Sequence, residues 1–167
     1  MLKLVTIPNP ILNKKTTLVK KFDESLADLV SEMIETCRAV HGIGLAAPQI
    51  GKSIRLCIIN LEHMGLPPFA LVNPRIVKKS WKKIDMEEGC LSIPGVFGMV
   101  KRPVKITVEA QNLKGEKNSF VADSMLSRVI QHEIDHLDGI LFISKMSKQT
   151  DGVASKERKQ RQEEEKM

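Results

Sequence analysis

Two histidines and a glutamate lie close together in the segment VIQHEIDHLDGIL, which covers residues 129–141. If this segment is helical, His132 and His136 are one turn apart on the same side, so both imidazoles can reach one cation. Glu133 is rotated from them by about 100° and can approach a water molecule at the metal without binding the metal. The pattern indicates a catalytic metal site, although a polar helix that carries two histidines would show the same five residues.

A catalytic site of this kind needs a third protein ligand. No histidine follows His136, which excludes the extended metzincin motif, and His41 and His63 are the only other histidines. Cys90, in the segment EEGCLSIPG, is a better donor, because thiolates bind such metals and the neighbouring glycine and proline indicate a turn. Two other interpretations of Cys90 stay open from the residues alone: a small buried apolar side chain, or a nucleophile paired with a histidine.

The composition of the 167 residues limits the class of protein. A hydrophobic content of 42% is enough for the core of one domain. The chain has no long apolar run and no N-terminal segment that resembles a signal peptide, so we expect an unexported, cytoplasmic protein without a membrane span. Three cysteines are too few for a disulfide framework and suit a reducing compartment.

The net charge of +6 raises the question of a nucleic-acid partner. The lysines lie mostly in small pairs, aromatic residues make up only 4% of the chain, and no nucleic-acid-binding motif is present. We therefore expect no specific nucleic-acid site, and at most a mild attraction to RNA-rich or acidic partners.

The elements that must position these residues follow from the hydrophobic periodicity. Residues 24–40 carry apolar side chains at the spacing of an amphipathic helix. Helical periodicity returns from Ser124, which we expect to be the N-cap of a second helix that ends near Gly139. Between the two helices, short alternating runs predict strands near residues 55–60, 70–77, 81–87, 104–110 and 117–122. This order predicts a single α+β domain and not a repeat of parallel units.

Two other segments have less regular patterns. We expect a loop at residues 96–100, although its sequence VFGMV is unusually apolar. From Ser155 onward nearly every residue is charged or polar, which predicts a solvated helix or a frayed end. We therefore divide the chain into a folded domain, residues 1–150, and a charged tail, residues 151–167.

Three stretches together resemble the signature motifs of the peptide deformylase family. They are GIGLAAPQ at 42–49, EGCLS at 88–92 and QHEIDHLDG at 131–139, in the family's order and with similar separations. The opening LVTIPNPIL is also similar, and the resemblance covers roughly residues 1–145. It implies that residues 1–150 form a catalytic domain in which antiparallel or mixed β-sheets pack around a central metal-binding helix.

The resemblance implies that Cys90, His132 and His136 bind one divalent metal ion, with water as the fourth ligand. Three protein ligands and one open position fit a catalytic site, and a metal-bound thiolate is deprotonated. In this family the metal is typically Fe(II), with zinc, nickel or cobalt as alternatives in isolated protein. The ligand set by itself does not choose among these metals.

The resemblance also implies a reaction. Glu133 would take a proton from the metal-bound water, which attacks the formyl carbon, and would later deliver the proton to the leaving amine. The side-chain amide of Gln49 and the backbone N–H of Leu91 would stabilise the oxyanion. The substrate is then the N-formylmethionine end of newly made polypeptides, with formate as a product. A transient association with the ribosome is a further expectation.

The same comparison of motifs implies residues that contact the substrate. Ile43, Gly44 and Gly89 would hold the substrate backbone, since glycines allow a peptide to approach closely. Met125 and Val129 are one turn apart and would line an apolar slot for the methionine side chain. Ordinary core packing would explain the spacing of these two residues equally well.

Three charged residues lie close in sequence to the proposed metal ligands and could affect the site. Glu88 and Asp135 are candidates to orient the imidazoles, because a ligating histidine usually donates its other N–H to a carboxylate or carbonyl. Arg128 stands where the family often has a small or apolar residue, which would alter the preference for downstream substrate residues.

Two rival functions predict different behaviour. A general metallopeptidase would cleave internal peptide bonds, but the Cys90 ligand argues against it. An inactive module that binds metal or the ribosome would not need a water-activating carboxylate, and Gln49, Cys90 and Glu133 are all present.

Overall fold

The computed structural model describes residues 1–152 and, in the tail, residues 157, 160, 161, 163 and 164. Within these residues the chain forms the helices α1 (Glu24–Ala39) and α2 (Ser124–Leu137). The strands are β1 (Gly44–Ala46), β2 (Leu56–Leu61), β3 (Leu66–Lys79), β4 (Lys83–Cys90), β5 (Ile93–Pro103), β6 (Lys105–Gln111), β7 (Lys117–Asp123) and β8 (Met146–Thr150). Short 3-10 helices cover Pro10–Asn13, Ala47–Ile50, Glu62–Met64 and Phe142–Ser144.

The strands form two antiparallel sheets. The larger sheet has the order β1-β2-β3-β6-β7, and the smaller sheet has the order β4-β5-β8. Two of the edge strands, β1 and β4, each pair with one neighbour only. The larger sheet therefore leaves one long side of β1 without a strand partner, and the smaller sheet does the same at β4.

The two helices cover opposite faces of the larger sheet. Side chains of β2 alternate between the faces, so Cys57 and Ile59 pack with α2 while Leu56 and Ile58 pack with α1. All six residues of β2 are buried, as this position between two helices requires. Helix α2 is buried over most of its circumference, which makes it the central helix of the domain.

The predicted α+β class, the first helix and the five predicted strands are confirmed, but the loop prediction at 96–100 is wrong. Those residues lie in β5, which pairs with β4 on one side and β8 on the other, and this explains their apolar composition. Strands β1 and β8 were not predicted. The first has only three residues, and the second is largely exposed and polar, so neither has a periodic apolar pattern.

The beginning of α2 also differs from the prediction. Its N-cap is Asp123, and Ser124 is already the first helical residue, with a positive φ of 53°. The reason is that β7 ends at Asp123 with no linker, and the N–H of Ser124 donates to the carbonyl of Val104. The predicted end near Gly139 is confirmed, because α2 stops at Leu137 and Gly139 takes the left-handed conformation that often terminates a helix.

The charged tail predicted from Ser155 lies mostly outside the described residues. Its five described positions are exposed. Among the described helices, none combines the length and the apolar content needed to cross a bilayer.

We expect Gly139→Ala to destabilise the protein more than Gly65→Ala does. Both glycines have a positive φ, 74° and 81°, so alanine is strained at either position, by about 1 kcal/mol. A Cβ at 139 would also lie 2.8 Å from backbone atoms of Asn13 and Lys14, whereas a Cβ at 65 would meet nothing within 4 Å. The additional clash should cost roughly 1–3 kcal/mol in the free energy of unfolding measured with urea. Equal losses in the two variants would contradict this explanation.

Candidate metal centre

Three potential metal ligands come together between the two sheets. Cys90 is the last residue of β4, and His132 and His136 lie one turn apart on α2. The nearest ligand atoms of the three side chains all lie within 4.8 Å of one another, and the Cys90 Sγ is 3.2 Å from the His136 Nε2. The structure therefore brings all three residues that were predicted as ligands within reach of one cation.

The pKa values of the two histidines are shifted in opposite directions by their surroundings. Burial lowers the pKa of His136 well below its ordinary value, so its imidazole is neutral and can donate a lone pair. Burial also lowers the pKa of His132, but its hydrogen bonds with Cys90 and Glu88 outweigh burial and raise the pKa overall. A thiolate and two imidazoles are a donor set that suits zinc and other transition metals, so the residues present fit a divalent metal ion.

Glu88 orients the first histidine. Its Oε1 lies 2.9 Å from the His132 Nδ1. When Nδ1 carries the proton and donates a hydrogen bond to this carboxylate, the lone pair of the His132 Nε2 is available for a metal. Arg102 donates two hydrogen bonds to the same carboxylate, at 2.6 and 2.9 Å, and Arg128 donates a third at 2.5 Å. Burial would raise the pKa of Glu88, but the hydrogen bonds from His132 and Arg102 outweigh burial and hold it below its ordinary value. The buried carboxylate therefore stays ionised.

Asp135 and Arg128 do not contact the metal ligands directly, but bind residues of the Glu88 cluster. Asp135 accepts from Arg102 at 2.8 Å and from Lys145 at 3.0 Å, so it supports the arginine and does not contact an imidazole. Arg128 also donates to backbone carbonyls of Ile84 in β4 and of Val100 in β5, which ties α2 to the smaller sheet. The predicted contact between Glu88 and an imidazole is present in the structure. The contact predicted for Asp135 is wrong, because its carboxylate binds Arg102 and Lys145 and not a histidine.

Glu133 is a buried carboxylate in the wall of the site. Its side chain is 3% exposed, and burial raises its pKa to about 7. Its Oε2 has no hydrogen-bond partner among the described residues. A Cβ at Gly44 would lie 2.5 Å from the Glu133 Oε1, so glycine is required there because the carboxylate occupies the space of a side chain.

Gln49 has a fixed amide orientation. Its Oε1 accepts from the N–H of Ala46 at 2.9 Å, and its Nε2 donates to the Ser92 Oγ at 3.2 Å. The same Nε2 lies 3.6 Å from the Cys90 Sγ, so the amide N–H groups face the metal ligands. Leu91 follows Cys90 in the turn between β4 and β5, which places its backbone beside the same group.

A cavity of about 300 Å³ opens beside these residues. Among the predicted residues it is lined by Ile43, Gly44, Gln49, Gly89, Cys90, Leu91, Met125, Val129, His132 and Glu133. His136 is 1% exposed and lies behind the wall. Met125 and Val129 also pack against the core of the larger sheet, so the cavity and the core share them.

The cavity lies between the two edge strands. Gly44 belongs to β1 and Gly89 to β4, so a ligand in the cavity would meet one edge of each sheet. A Cβ at Gly89 would lie 2.7 Å from the ring of Phe97, which also lines the cavity. An extended peptide can pair with such edges through its backbone, which makes the arrangement suited to a peptide ligand.

Sequence reasoning missed two residues that shape the site. Arg102 lies next to the exposed Lys101 in the run KRP, and nothing local distinguishes a buried arginine from a surface lysine there. Ser92 anchors Gln49 and donates to the carbonyl of Val5 at 2.7 Å, a contact with a residue 87 positions away. The only sequence signal for a role of Ser92 was its position in the motif EGCLS.

Comparisons with known proteins agree with this geometry. The family model described as Polypeptide deformylase matches residues 1–151. The chain is 42% identical over 144 residues to a peptide deformylase of Dictyoglomus thermophilum, which covers 86% of this chain and 92% of that protein. The crystal structure of peptide deformylase from Thermotoga maritima is similar with a TM-score of 0.85 and 39% identity, over 88% of this chain and 98% of that one. The Met-Ala-Ser-bound crystal structure of a class I type b peptide deformylase from Acinetobacter baumannii is similar with a TM-score of 0.82 and 31% identity, over 87% and 98% of the two chains.

We expect Glu133→Gln to stabilise the metal-free chain at high pH. The pKa of Glu133 is about 7 in the folded state and about 4.3 in an unfolded chain, so the folded state binds more protons between these values. The wild type therefore loses stability as the pH rises from about 4 to about 7, whereas the glutamine variant does not. The gain should approach about 4 kcal/mol above pH 7 and vanish near pH 4, as measured by urea unfolding with a chelator present. The exposed Glu32→Gln serves as control, and an equal gain at both pH values would contradict the expectation.

We expect Glu88→Gln to weaken metal binding by roughly 10- to 100-fold, because the amide no longer holds His132 with a full charge. The affinity for Zn²⁺ can be measured by competition with a chromogenic chelator. Asp85→Asn is the matched control, since Asp85 lies on the same strand but its carboxylate is largely exposed and 3.9 Å from Lys101. An unchanged affinity in Glu88→Gln would mean that another contact orients the imidazole.

Proposed function

The chain belongs to the peptide deformylase family, and from that premise we propose which of its residues perform the reaction. A peptide deformylase is a metallohydrolase that removes the N-formyl group from newly made polypeptides, so the family and activity predicted from the three motifs are confirmed. One observation carries the assignment of residues. A potential metal-ligand triad, a buried carboxylate and a fixed amide surround one cavity between two strand edges.

Cys90, His132 and His136 hold the divalent metal ion in this proposal. A metal ion there supplies Lewis acidity, which polarises a carbonyl group and makes a coordinated water molecule more acidic at neutral pH. The hydrogen bond between His132 and Glu88 supports the assignment, because it orients the imidazole as a ligand. We infer Fe(II) as the native metal from the resemblance to the family, with zinc, nickel or cobalt able to replace it in isolated protein.

Glu133 is the proton carrier in this proposal. It accepts a proton from the attacking water and delivers a proton to the nitrogen that leaves the formyl group. A carboxylate with a pKa of about 7 is suited to both steps near neutral pH, since neither of its protonation states is strongly favoured. Its Oε2 lacks a hydrogen-bond partner among the described residues, so no donor from the protein competes for that oxygen of the carboxylate.

Gln49 and Leu91 stabilise the oxyanion that forms when the formyl carbon becomes tetrahedral. The Nε2 of Gln49 is held near Cys90 by the contacts of the amide with Ala46 and Ser92, so it needs no reorganisation during the reaction. The N–H of Leu91 comes from the turn next to the ligand Cys90. Preorganised donors of this kind act on charge that develops only in the transition state.

The substrate binds as an extended strand between the two sheets. Ile43 and Gly44 contact its backbone from one side, and Gly89 contacts it from the other. Met125 and Val129 form the slot for the methionine side chain, since both line the cavity beside His132 on α2. The Met-Ala-Ser complex of the related Acinetobacter baumannii protein supports a peptide with methionine at its N-terminus as the ligand.

We extend the proposal to the setting in which the enzyme works. Its substrates are polypeptides under synthesis, so we place it in the cytoplasm and expect transient association with the ribosome. The unpaired state of all three cysteines agrees with a reducing compartment. We also propose that residues 1–150 are the catalytic domain and that residues 151–167 form a separate charged tail.

Formate release from a formyl-methionyl dipeptide tests the assignment of residues. The full chain, purified without oxygen and loaded with Fe(II), should release formate and should lose activity in air as Cys90 is oxidised. Glu133→Ala should lower kcat by at least 10²-fold and Gln49→Ala by roughly 10²- to 10³-fold, because each removes a group that acts in the transition state. Both variants should retain one metal ion per chain, since neither residue is a proposed ligand.

Glu32→Ala is the control for charge removal, because its side chain is exposed on α1. Formate release by Glu133→Ala at the wild-type rate would exclude Glu133 as the proton carrier. Wild-type protein with one bound metal ion and no formate release would overturn the proposed site as a whole.

A further inference from the structure

An exposed tryptophan lies among lysines at the turn between β3 and β4. The segment KKSWKK, residues 78–83, contains this turn and is called the basic tip here. Trp81 is the only tryptophan of the chain, and its side chain is 100% exposed. The four lysines of the tip are exposed as well. A large aromatic ring and four positive charges are therefore concentrated on one surface feature.

Hydrogen bonds hold the basic tip against the start of β6. The N–H of Ser80 donates to the carbonyl of Lys105 at 2.9 Å, and the N–H of Lys105 donates to the Ser80 Oγ at 3.1 Å. The Ser80 hydroxyl donates to the carbonyl of Lys82 at 2.9 Å, and this carbonyl also accepts from the N–H of Val104 at 3.0 Å. The backbone on both sides of Trp81 is therefore anchored to the fold while the ring faces solvent.

Unlike Ser80, the lysines and the tryptophan of the tip make no side-chain contact that stabilises the fold among the described residues. Among the described residues, no carboxylate forms an ion pair with Lys78, Lys79, Lys82 or Lys83, whereas Lys101 on β5 lies 3.9 Å from Asp85. The ring of Trp81 buries no area against the core. An exposed tryptophan leaves roughly 150–250 Å² of mainly apolar surface in water, which is unfavourable unless a partner covers it.

We propose that the basic tip binds single-stranded or looped RNA, with Trp81 stacked on a base and the lysines placed against phosphates. Stacking on an aromatic side chain tolerates any base, and lysine contacts to phosphates carry no sequence information. This kind of contact needs only one exposed ring, so the low aromatic content of the chain, which argued against a specific nucleic-acid site, does not argue against it. The enzyme's substrates are made on ribosomes, whose surfaces are rich in RNA.

The chemistry of the tip favours RNA over a lipid surface. A tryptophan that enters the membrane interface needs apolar neighbours that enter with it. The residues next to Trp81 are Ser80 and Lys82, with further lysines on either side. A base that stacks on the ring leaves these ammonium groups free to reach the phosphates on both sides of the nucleotide.

The tip is separate from the catalytic cavity but lies on the same strand. β4 begins at Lys83 beside the tip and ends at the ligand Cys90, seven residues later, which corresponds to about 23 Å of extended chain. RNA bound at the tip would therefore not enter the cavity. It would hold the enzyme in a defined orientation while a peptide reaches the metal centre.

The fluorescence of the single tryptophan tests the proposal directly. Titration of the full, metal-loaded chain with a 12-nucleotide oligouridylate should quench the emission of Trp81, because a stacked base contacts the ring. Binding of a fluorescein-labelled form, followed by anisotropy, should weaken with added salt by about 0.7 in logarithmic slope per phosphate contacted. Trp81→Ala should weaken binding roughly 5- to 150-fold, and Trp81→Phe should restore part of the affinity.

Two variants separate a built site from general positive charge. Lys82→Gln/Lys83→Gln should reduce the salt slope by about 1.4, whereas Lys14→Gln/Lys15→Gln, an exposed lysine pair elsewhere, should lower the affinity much less. Formate release from a formyl-methionyl dipeptide should be the same in Trp81→Ala as in the wild type, which shows that the fold and the cavity are intact.

Three results would overturn the proposal. They are absence of quenching by RNA, equal losses in the two lysine double variants, and a blue shift of Trp81 emission with phosphatidylglycerol vesicles in the absence of any RNA effect. The last result would identify a membrane contact instead. None of these outcomes depends on turnover, so failure of this proposal would leave the catalytic assignment unchanged.

Discussion

The buried carboxylate of Glu88 is the interaction on which the metal centre depends. It lies between two arginines and one histidine, and its partners come from β5 and α2 while Glu88 itself belongs to β4. An isolated buried carboxylate would be strongly unfavourable, so this one requires its cationic partners. Glu88 and Arg102 belong to the smaller sheet, whereas Arg128 and His132 belong to α2, so these contacts connect the sheet to the helix. The same strand, β4, ends at Cys90 beside the histidines.

Glu133, the carboxylate that we propose as the proton carrier, has the opposite kind of surroundings. Glu88 is surrounded by donors and stays ionised, whereas Glu133 is buried with one oxygen unpartnered and its pKa rises to about 7. The surroundings therefore shift the pKa values of the two glutamates in opposite directions, which agrees with a supporting role for Glu88 and with the proton transfer proposed for Glu133. The absence of a side chain at Gly44 makes this possible, since Glu133 occupies that space.

The architecture explains how a peptide can reach a buried metal centre. Two sheets that share no strand approach each other through their edges β1 and β4, with α2 behind the gap. An edge strand is usually a hazard for aggregation, because its backbone groups lack partners. Here two such edges line the cavity, and a substrate backbone can pair with them in the way a strand would. The same strand, β4, connects the catalytic centre with the exposed tip around Trp81.

Much of the site could be predicted because its chemistry lies in short stretches. Residues one helical turn apart share a face wherever the helix packs, so the relation among His132, Glu133 and His136 followed from their spacing alone. The roles proposed for Cys90 and Gln49 followed from two further motifs that resemble a known family. The strands with alternating apolar residues were also recognisable, because that pattern requires one buried face.

The tertiary structure decided what depends on residues far apart in the chain. Sequence could not distinguish the buried Arg102 from the exposed Lys101, since their burial depends on what packs against each side of β5. It assigned a loop to residues 96–100, because the pairing of β5 with β8 joins segments about 50 residues apart. The exposure of Trp81 could not be predicted from the sequence either. Local spacing thus determined the candidate catalytic groups, while long-range packing alone determined which charges are buried and which aromatic ring is exposed.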